Sequence, residues 1–118
     1  MDDSRFRIIV RYVKNIAIAS CLDSKLNDEL SIQSWGNELY SLVDSQNCSK
    51  LVINFSNVNL MSSSALRVLI SLNKKTEAKG MNLELCGINK NIMEAFRITR
   101  LDELFTIKQH ENETLGKY

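Results

Sequence analysis

Several residue types that often carry a function are rare or absent in this chain of 118 residues. It has no proline and no low-complexity run, which argues against linkers, and its length is enough for one core but too short for two. We therefore expect residues 1–118 to form a single domain, with residues 113–118 as a disordered tail. No stretch reaches the ~18 apolar residues of a membrane span. Residues 1–5 do not have the pattern of a signal peptide.

The chain also has no excess of basic or of acidic residues. Fifteen basic and fourteen acidic residues give a formal net charge of +1. Lys74, Lys75 and Lys79 fall in the second half of a predicted helix, where lysines favour the negative dipole end and a solvated face. Because no basic stripe with interleaved aromatic residues is present, we expect no nucleic-acid partner and no membrane partner.

Cysteine and histidine are too few and too scattered for a metal site. Cys21, Cys48 and Cys86 are far apart, and an odd number of thiols does not indicate a disulfide framework. We interpret Cys86, at the end of an apolar run, as a small buried hydrophobic residue. His110 is the one histidine and has no paired thiols nearby. We expect no metal, no cofactor and a location in the reducing cytoplasm.

The sequence does not support catalysis. A serine nucleophile needs a base within reach, and His110 has no identifiable acidic partner. The Gly-x-Ser-x-Gly turn of hydrolases is absent, and the four glycines are scattered singly, so they form no phosphate-binding loop. The adjacent carboxylates Asp28–Glu29 and Asp102–Glu103 are typical of solvated helix ends. We therefore expect that the protein is not an enzyme.

What the chain does contain is an alternation of strand and helix patterns. Hydrophobic periodicity and end signals predict the elements in chain order. They are a hairpin over Phe6–Tyr12 and Ile16–Ser20, a helix containing Ile32–Val43 with Ser31 as N-cap, a strand at Leu51–Phe55, a helix at Ser63–Lys79 ended by Gly80, a strand at Met81–Cys86, a helix at Lys90–Arg97, a strand at Leu104–Ile107 and a helical turn at Asn112–Leu115.

This alternation predicts an α/β fold with a mostly parallel sheet, because right-handed crossovers join parallel strands. We expect a mixed sheet of four to five strands with the hairpin as an antiparallel N-terminal edge, covered by three to four helices. Leu51–Phe55 is too apolar to have one solvated face, so it should be central and covered on both sides. The residues expected to be buried are Val52, Phe55, Leu66, Leu69, Leu83, Leu85 and Phe96, and Trp35 should pack on the sheet.

Three consecutive serines, Ser62, Ser63 and Ser64, lie between the central strand and the next helix. The free N–H groups and the positive dipole end of a helix N-terminus favour negative charge. Such a place suits a phosphoserine, an anion or a docking partner. The alternative is that Ser62 is an N-cap and that the other two hydroxyls only begin the helix.

The helix after the serines is apolar over a broad face. Val68 falls to one side of that face, so the helix either offers an apolar edge to another protein or is wide and fully buried. Arg67 stands four residues after Ser63, and its guanidinium can reach back toward a phosphate at the first turn or contact an exposed neighbour.

The region around the serines resembles the STAS domain, the fold of bacterial anti-sigma factor antagonists. An apolar strand is followed by Ser56-Asn57-Val58 and then by Ser62-Ser63-Ser64-Ala65-Leu66, where the family pattern is roughly Asp-Leu-Ser-x-Val-x-x-Ile and Asp-Ser-Ser-Gly-Leu. The resemblance covers about Leu51–Ile107 in sequence order, and the N-terminal third fits only loosely. Its later segments are Ala78-Lys79-Gly80, the strand Leu83–Gly87, Asn89–Phe96, Ile98–Leu101 and Leu104–Ile107.

The resemblance implies a binding protein rather than a catalyst. STAS-type antagonists dock onto an anti-sigma factor, usually an ATP-dependent serine kinase of the histidine-kinase-like ATPase fold, and so release a sigma factor. The kinase phosphorylates the first serine of the family motif, which ends the interaction, and a PP2C-type phosphatase reverses the modification. By its position in the motif, that serine is Ser63.

The matched residues depart from the family pattern at three positions. Ser62 and Asn54 stand where the family has aspartates, and Ala65 replaces the glycine. Two negative charges are therefore lost, while hydrogen-bonding capacity remains. The partner-binding surface that the resemblance implies comprises Asn54, Ser56, Asn57, Ser62, Ser63, Ser64, Ala65, Arg67 and Val68.

Two other classes of function stay open from the sequence. The first is a phosphorylation-independent interaction module, or a self-assembly module whose hairpin edge pairs with a copy of itself. The second is a sensor that holds a small anion at the serine turn, which a ligand-dependent thermal shift would reveal. We expect a monomer or a weak homodimer.

Overall fold

A five-stranded sheet forms the centre of the structure. The computed structural model describes residues 6–115, and residues 1–5 and 116–118 lie outside this description. The strands in chain order are β1 (Ile8–Val13), β2 (Ile16–Cys21), β3 (Lys25–Leu26), β4 (Lys50–Asn54), β5 (Leu60–Met61), β6 (Asn82–Cys86) and β7 (Thr106–Lys108). The main sheet has the order β1-β2-β4-β6-β7, in which β1 is antiparallel to β2 and the other neighbours are parallel. The predicted α/β class with an antiparallel N-terminal edge is confirmed.

β4 is the middle strand of this sheet, as its composition predicts. Leu51, Val52 and Ile53 are each at most 1% exposed. Both edges of β4 are paired, to β2 and to β6, and both of its faces are covered. Every apolar side chain of this run is therefore buried, as expected of a central parallel strand.

Helices cover the two faces of the sheet unequally. They are α1 (Glu29–Ser45), α2 (Ser63–Ala78), α3 (Lys90–Ile98) and α4 (Glu111–Leu115). The first three pack on one face and enclose the main core, which includes Trp35, Phe55 and Phe96. The short α4 lies over the other face, where Leu115 packs on a small cluster containing Val52.

All residues expected in the core are buried, and this confirms the helical and strand faces assigned from the sequence. Their exposure ranges from 0% to 9%. The set comprises Val52, Phe55, Leu66, Leu69, Leu83, Leu85 and Phe96, together with Trp35. Trp35 stacks edge-on against Phe55, with 6.3 Å between ring centroids.

The N-terminus of α1 corrects one prediction. Asp28, not Ser31, is the N-cap, and its carboxylate accepts hydrogen bonds from the backbone N–H of Ser31 at 3.1 Å and from the Ser31 hydroxyl at 2.9 Å. The backbone N–H of Ser31 is the larger cause that lowers the pKa of Asp28. Both residues are good capping types, and the hydrophobic period alone does not separate positions within one turn.

Lys79 lies on a solvated face, as predicted, and it also contacts α1. Its ammonium donates to the carbonyl oxygens of Val43, Asp44 and Gln46 at 2.7, 3.3 and 3.2 Å. These carbonyls lie at the C-terminus of α1, where the helix dipole is negative. Lys79 therefore connects the end of α2 to the end of α1.

Three further features differ from the predictions. The last strand is Thr106–Lys108 rather than Leu104–Ile107, because Leu104 belongs to a turn after a 3-10 segment at Leu101–Glu103. Residues 113–115, predicted to begin a tail, belong to α4, and residues 116–118 lie outside the described residues. The small parallel pair of β3 and β5 was not predicted. Within residues 6–115 no helix is both long and apolar enough to span a membrane.

Candidate functional site

The predicted site lies at the carboxyl ends of the parallel strands. β4 ends at Asn54, and the chain then passes through Phe55 and an exposed pair, Ser56 and Asn57, before reaching the start of α2 at Ser63. This is the edge of an open α/β sheet at which ligands and partners most often bind. We call residues Ser56–Ser64 the serine loop.

The hydroxyls of the three serines have different surroundings. Ser62 is the N-cap of α2, and its Oγ accepts a hydrogen bond from the backbone N–H of Ala65 at 3.4 Å. Ser63 is exposed in the first turn, and Ser64 is half-buried. The predicted capping role of Ser62 is confirmed, and the hydroxyl left accessible at the helix N-terminus is that of Ser63.

A short parallel ladder holds the middle of the serine loop. The backbone N–H groups of Asn59 and Leu60 donate to the carbonyl oxygen of Ser24 at 2.7 and 3.3 Å. The backbone N–H of Ser62 donates to the carbonyl oxygen of Leu26 at 2.9 Å. Leu26 is fully buried beneath this ladder. The segment between β2 and α1 therefore belongs to the site. Its pairing with the serine loop could not be predicted from the sequence, because strands of two residues are too short to show a hydrophobic period.

Asn54 connects the serine loop to the opposite face of the sheet. Its side-chain oxygen accepts a hydrogen bond from the backbone N–H of Ser56 at 2.8 Å, while its amide nitrogen donates to Glu111 at 2.8 Å. Glu111 also forms an ion pair with Arg11 of β1. Burial raises the pKa of Glu111, but the hydrogen bonds from Asn54 and Arg11 outweigh it, so the pKa is lowered overall.

Asn54 stands at the strand end where the STAS pattern has an aspartate, but a carboxylate is still present nearby. The carboxylate near the end of β4 comes from Glu111 on α4, and Asn54 contributes the neutral partner. Glu111 lies 57 residues away in sequence. Sequence patterns within β4 and the serine loop therefore could not identify Glu111.

The turn after β6 packs against the serine loop and restricts it. Gly87 has a positive φ of +72°, and a Cβ there would lie 2.5 Å from the Oγ of Ser56. Asn89, the N-cap of α3, accepts from the N–H of Ile92 at 2.8 Å. Its amide nitrogen donates to the carbonyl oxygens of Val58 and Asn59 at 3.3 and 3.4 Å. Gly87 and Asn89 thus position the serine loop, although neither belongs to the surface predicted from the sequence.

Three residues of the predicted surface follow along α2. Ala65 is fully buried in the main core, so its methyl group contributes to packing and not to an exposed surface. Val68 is half-buried against Gly36 of α1, where a Cβ on the glycine would lie 3.2 Å from a Val68 methyl carbon. Arg67 is exposed, and its guanidinium makes no hydrogen bond or ion pair with any of residues 6–115.

Arg67 and Val68 also line a groove between α1 and α2. Its volume is about 280 Å³, and Ser64 forms part of its wall at the N-terminal end of α2. Glu29, Ile32 and Tyr40 lie among the residues of its α1 side. The exposed part of the predicted surface therefore runs from Ser56 over the serines to the mouth of this groove.

Cys21 and Cys86 lie in buried surroundings that suppress thiol chemistry. Burial raises the pKa of Cys21 to about 12 and that of Cys86 to about 11. Cys21 accepts a hydrogen bond from the indole N–H of Trp35 at 3.4 Å. Within the described part of the chain, no group of three or more His, Cys, Asp and Glu side chains is arranged to hold a metal ion.

Comparison with known proteins identifies the family of this fold. The family model of the STAS domain matches residues 14–114, which extends well beyond the segment that carries the resemblance in sequence. The chain belongs to the STAS domain family. A search among curated proteins returned no matching sequence.

Solved structures with the same fold include several anti-sigma factor antagonists. An anti-sigma factor antagonist (STAS) domain protein from Planctomyces limnophilus has a TM-score of 0.81 at 18% identity, and the match covers 92% of this chain and 93% of that one. An anti-sigma factor antagonist from Mycobacterium paratuberculosis has a TM-score of 0.80 at 17% identity, with 92% and 89% covered. The Bacillus cell fate determinant SpoIIAA in its phosphorylated form has a TM-score of 0.69 at 14% identity, with 92% and 96% covered.

Proposed function

We propose that this protein is an anti-sigma factor antagonist that binds an anti-sigma factor through the serine loop and the exposed start of α2. The partner would be a serine kinase of the histidine-kinase-like ATPase fold. The proposal rests on membership of the STAS family and on the fold shared with anti-sigma factor antagonists. The observation that carries it is the exposed Ser63 hydroxyl in the first turn of α2, at the serine of the family motif.

We further propose that phosphorylation of Ser63 by the kinase ends this interaction and that a PP2C-type phosphatase restores it. A phosphate adds ~1.5 to 2 negative charges to the serine loop. The domain tolerates this charge because the phosphate lies at the positive end of the α2 dipole. In a complex the same charge lies within a contact from which water is excluded, where an unpaired charge is strongly unfavourable.

The test compares two substitutions of one residue. The probe is a serine kinase of the histidine-kinase-like ATPase fold from the same organism. Ser63→Asp should weaken its binding about a hundredfold or more, because an unpaired buried charge costs several kcal/mol. Ser63→Ala should weaken it about tenfold at most, because only one hydroxyl contact is lost. Ser71→Asp is the matched control, since Ser71 is also exposed but lies two turns further along α2. Isothermal titration calorimetry measures all three affinities.

Three outcomes would contradict parts of this proposal. If the kinase binds the Ser63→Asp variant as tightly as the unsubstituted protein, the proposed phosphorylation switch is refuted and the domain is a constitutive interaction module. If Ser71→Asp weakens binding as much as Ser63→Asp, the contact surface lies further along α2 than proposed. If neither the kinase nor a partner recovered by affinity capture binds, the proposed function fails while the family assignment stands.

A further inference from the structure

The exposed tip of the serine loop is a β-turn that begins where β4 ends. The backbone N–H of Val58 donates to the carbonyl oxygen of Phe55 at 2.9 Å. Ser56 and Asn57 are therefore the two central residues of the turn. The backbone N–H of Phe55 donates to the carbonyl oxygen of Cys86 at 2.9 Å, which attaches the start of the turn to β6. Both central residues are exposed and belong to the surface proposed to bind the partner.

The side chain of Asn54 binds the first N–H of this turn. Its Oδ1 accepts a hydrogen bond from the backbone N–H of Ser56 at 2.8 Å, in the pattern of an Asx-turn. Gly87 leaves the space for this contact, because a Cβ on Gly87 would lie 3.0 Å from the same Oδ1 and 3.0 Å from the Ser56 nitrogen. The orientation of the Asn54 amide therefore decides whether the Ser56 N–H has an acceptor.

An asparagine amide does not select one orientation by itself. Rotation about its last side-chain torsion is roughly two-fold, and the two orientations exchange the accepting oxygen with the donating NH₂ group. In the reversed orientation the NH₂ group of Asn54 would face the N–H of Ser56, so that two donors would oppose each other. A neighbouring group that distinguishes oxygen from nitrogen is needed to exclude this arrangement.

Glu111 is such a group. An ionised carboxylate accepts hydrogen bonds and donates none, so it binds only the nitrogen end of the Asn54 amide. The Nδ2 of Asn54 donates to the Oε2 of Glu111 at 2.8 Å. The other carboxylate oxygen, Oε1, forms the ion pair with Arg11, which favours the ionised form that this selection requires.

Contacts on the same face of the sheet hold Glu111 in place. Lys50 and Asn54 lie on one face of β4, because every second residue of a strand shares a face. The Nζ of Lys50 donates to the carbonyl oxygen of Thr114 at 2.6 Å. Leu115 packs on the apolar cluster of this face. These contacts fix α4, which carries Glu111, over the face to which the Asn54 side chain points.

We propose that Glu111 is a positioning residue for partner binding, which orients the Asn54 amide so that the β-turn of the serine loop keeps one conformation. This role rests on the function proposed above, because the turn carries Ser56 and Asn57 of the partner-binding surface. A loop that is already ordered binds more tightly, since less conformational freedom is lost on association. α4 thereby couples the opposite face of the sheet to the partner-binding surface.

Amide hydrogen exchange in the isolated protein tests the orientation. Glu111→Gln should accelerate exchange at Ser56, followed by NMR, about two- to tenfold, the range expected when one hydrogen bond is weakened. The reason is that a glutamine amide both donates and accepts, so it no longer selects one orientation of Asn54. In an Asn54→Ala background Glu111→Gln should have no further effect, since the acceptor for the Ser56 N–H is already lost.

Glu113→Gln is the matched control, because it removes the same charge from the same helix. The Glu113 carboxylate accepts hydrogen bonds from the backbone N–H groups of Gln109 and His110 at 3.0 and 3.1 Å, and both residues lie outside the serine loop. Exchange at Ser56 should be unchanged in this variant. Equal acceleration in Glu111→Gln and Glu113→Gln would overturn the proposal, because charge or the docking of α4 would then control the loop.

Exchanging the two side-chain types separates orientation from structural damage. In the double variant Asn54→Asp/Glu111→Gln, the carboxylate at position 54 accepts from the Ser56 N–H in either orientation, and the amide at position 111 donates to its other oxygen. Exchange at Ser56 should return to within about twofold of the rate in the unsubstituted protein. A double variant that exchanges as fast as Glu111→Gln alone would overturn the selection of orientation.

Affinity for the kinase used above tests the consequence for binding. In calorimetry, Glu111→Gln should weaken binding about two- to tenfold, the double variant should restore it and Glu113→Gln should leave it unchanged. Faster exchange at Ser56 with an unchanged affinity would refute the role of Glu111 in partner binding. If the kinase does not bind even the unsubstituted protein, the function proposed above fails, whereas exchange at Ser56 still decides whether Glu111 positions the serine loop.

Discussion

Asn89 joins two parts of the structure, and its substitution separates their contributions. Its side-chain oxygen caps α3, while its amide nitrogen bonds two carbonyls of the serine loop. Loss of an N-cap costs about 1 kcal/mol. Loss of the two bonds of 3.3 and 3.4 Å costs about 0.5 to 1 kcal/mol, at the lower end for hydrogen bonds because both are long.

We therefore expect Asn89→Ala to lower the free energy of unfolding by about 1.5 to 2 kcal/mol. Asn89→Ser should lower it by only about 0.5 to 1 kcal/mol, because serine caps a helix as well as asparagine but does not reach the loop carbonyls. Asn91→Ala is the control, since Asn91 is exposed in α3 and its replacement should cost nothing. Urea unfolding with a constant m-value measures the three differences.

The same variants should also change the motion of the serine loop. Amide hydrogen exchange at Val58 and Asn59 should accelerate in both Asn89→Ser and Asn89→Ala, because both lose the bonds to these residues. Exchange within α3 should accelerate only in the alanine variant. Equal stabilities of the serine and alanine variants would refute the division into cap and loop contributions, and unchanged exchange at the loop would refute its restraint by Asn89.

Two further predictions concern the same site. Ser62→Ala should lower the free energy of unfolding by about 1 kcal/mol through loss of the α2 cap, whereas Ser63→Ala should leave it unchanged in urea unfolding; equal losses would mean that α2 begins elsewhere. The pKa of Glu111 is lower in the folded chain than its ordinary value of 4.5, so its stabilising contribution is complete above that pH and is lost as the pH falls through the folded pKa. The stability difference between the unsubstituted protein and Glu111→Gln should therefore shrink on acidification, and a difference that stays constant with pH would contradict the role of the carboxylate.

The sequence predicts those parts of this fold that are governed by hydrophobic period. The strands around Val52 and Leu85 and the helices through Trp35 and Leu69 follow directly from it, because each spans several periods. The pair of β3 and β5 escapes prediction, since a strand of two residues has no period. Its bonds also join Ser24 and Leu26 to a loop more than thirty residues away, and only the folded chain brings them together.

The sequence predicts the parts of the candidate site that depend on neighbouring residues, but not those contributed by residues far away in the chain. The cap at Ser62 is a local feature, so a pattern of residue types near a helix start suffices to find it. Glu111 and Asn89 act on the serine loop through side-chain bonds that span 57 and 31 residues. Ala65 is the opposite case, a residue predicted to belong to the partner-binding surface that lies in the core. The family motif placed it in the surface, but its position in the helical period buries its side chain.

The bond between Asn54 and Glu111 has a consequence for how this sequence can evolve. An aspartate at position 54 would face the Glu111 carboxylate across the 2.8 Å that a hydrogen bond now spans, and two carboxylates so close do not both ionise near neutral pH. The order of substitution therefore matters: Glu111→Gln followed by Asn54→Asp avoids a carboxylate pair, whereas the reverse order creates one. Asn54→Asp is therefore compatible with this structure only after position 111 has lost its charge.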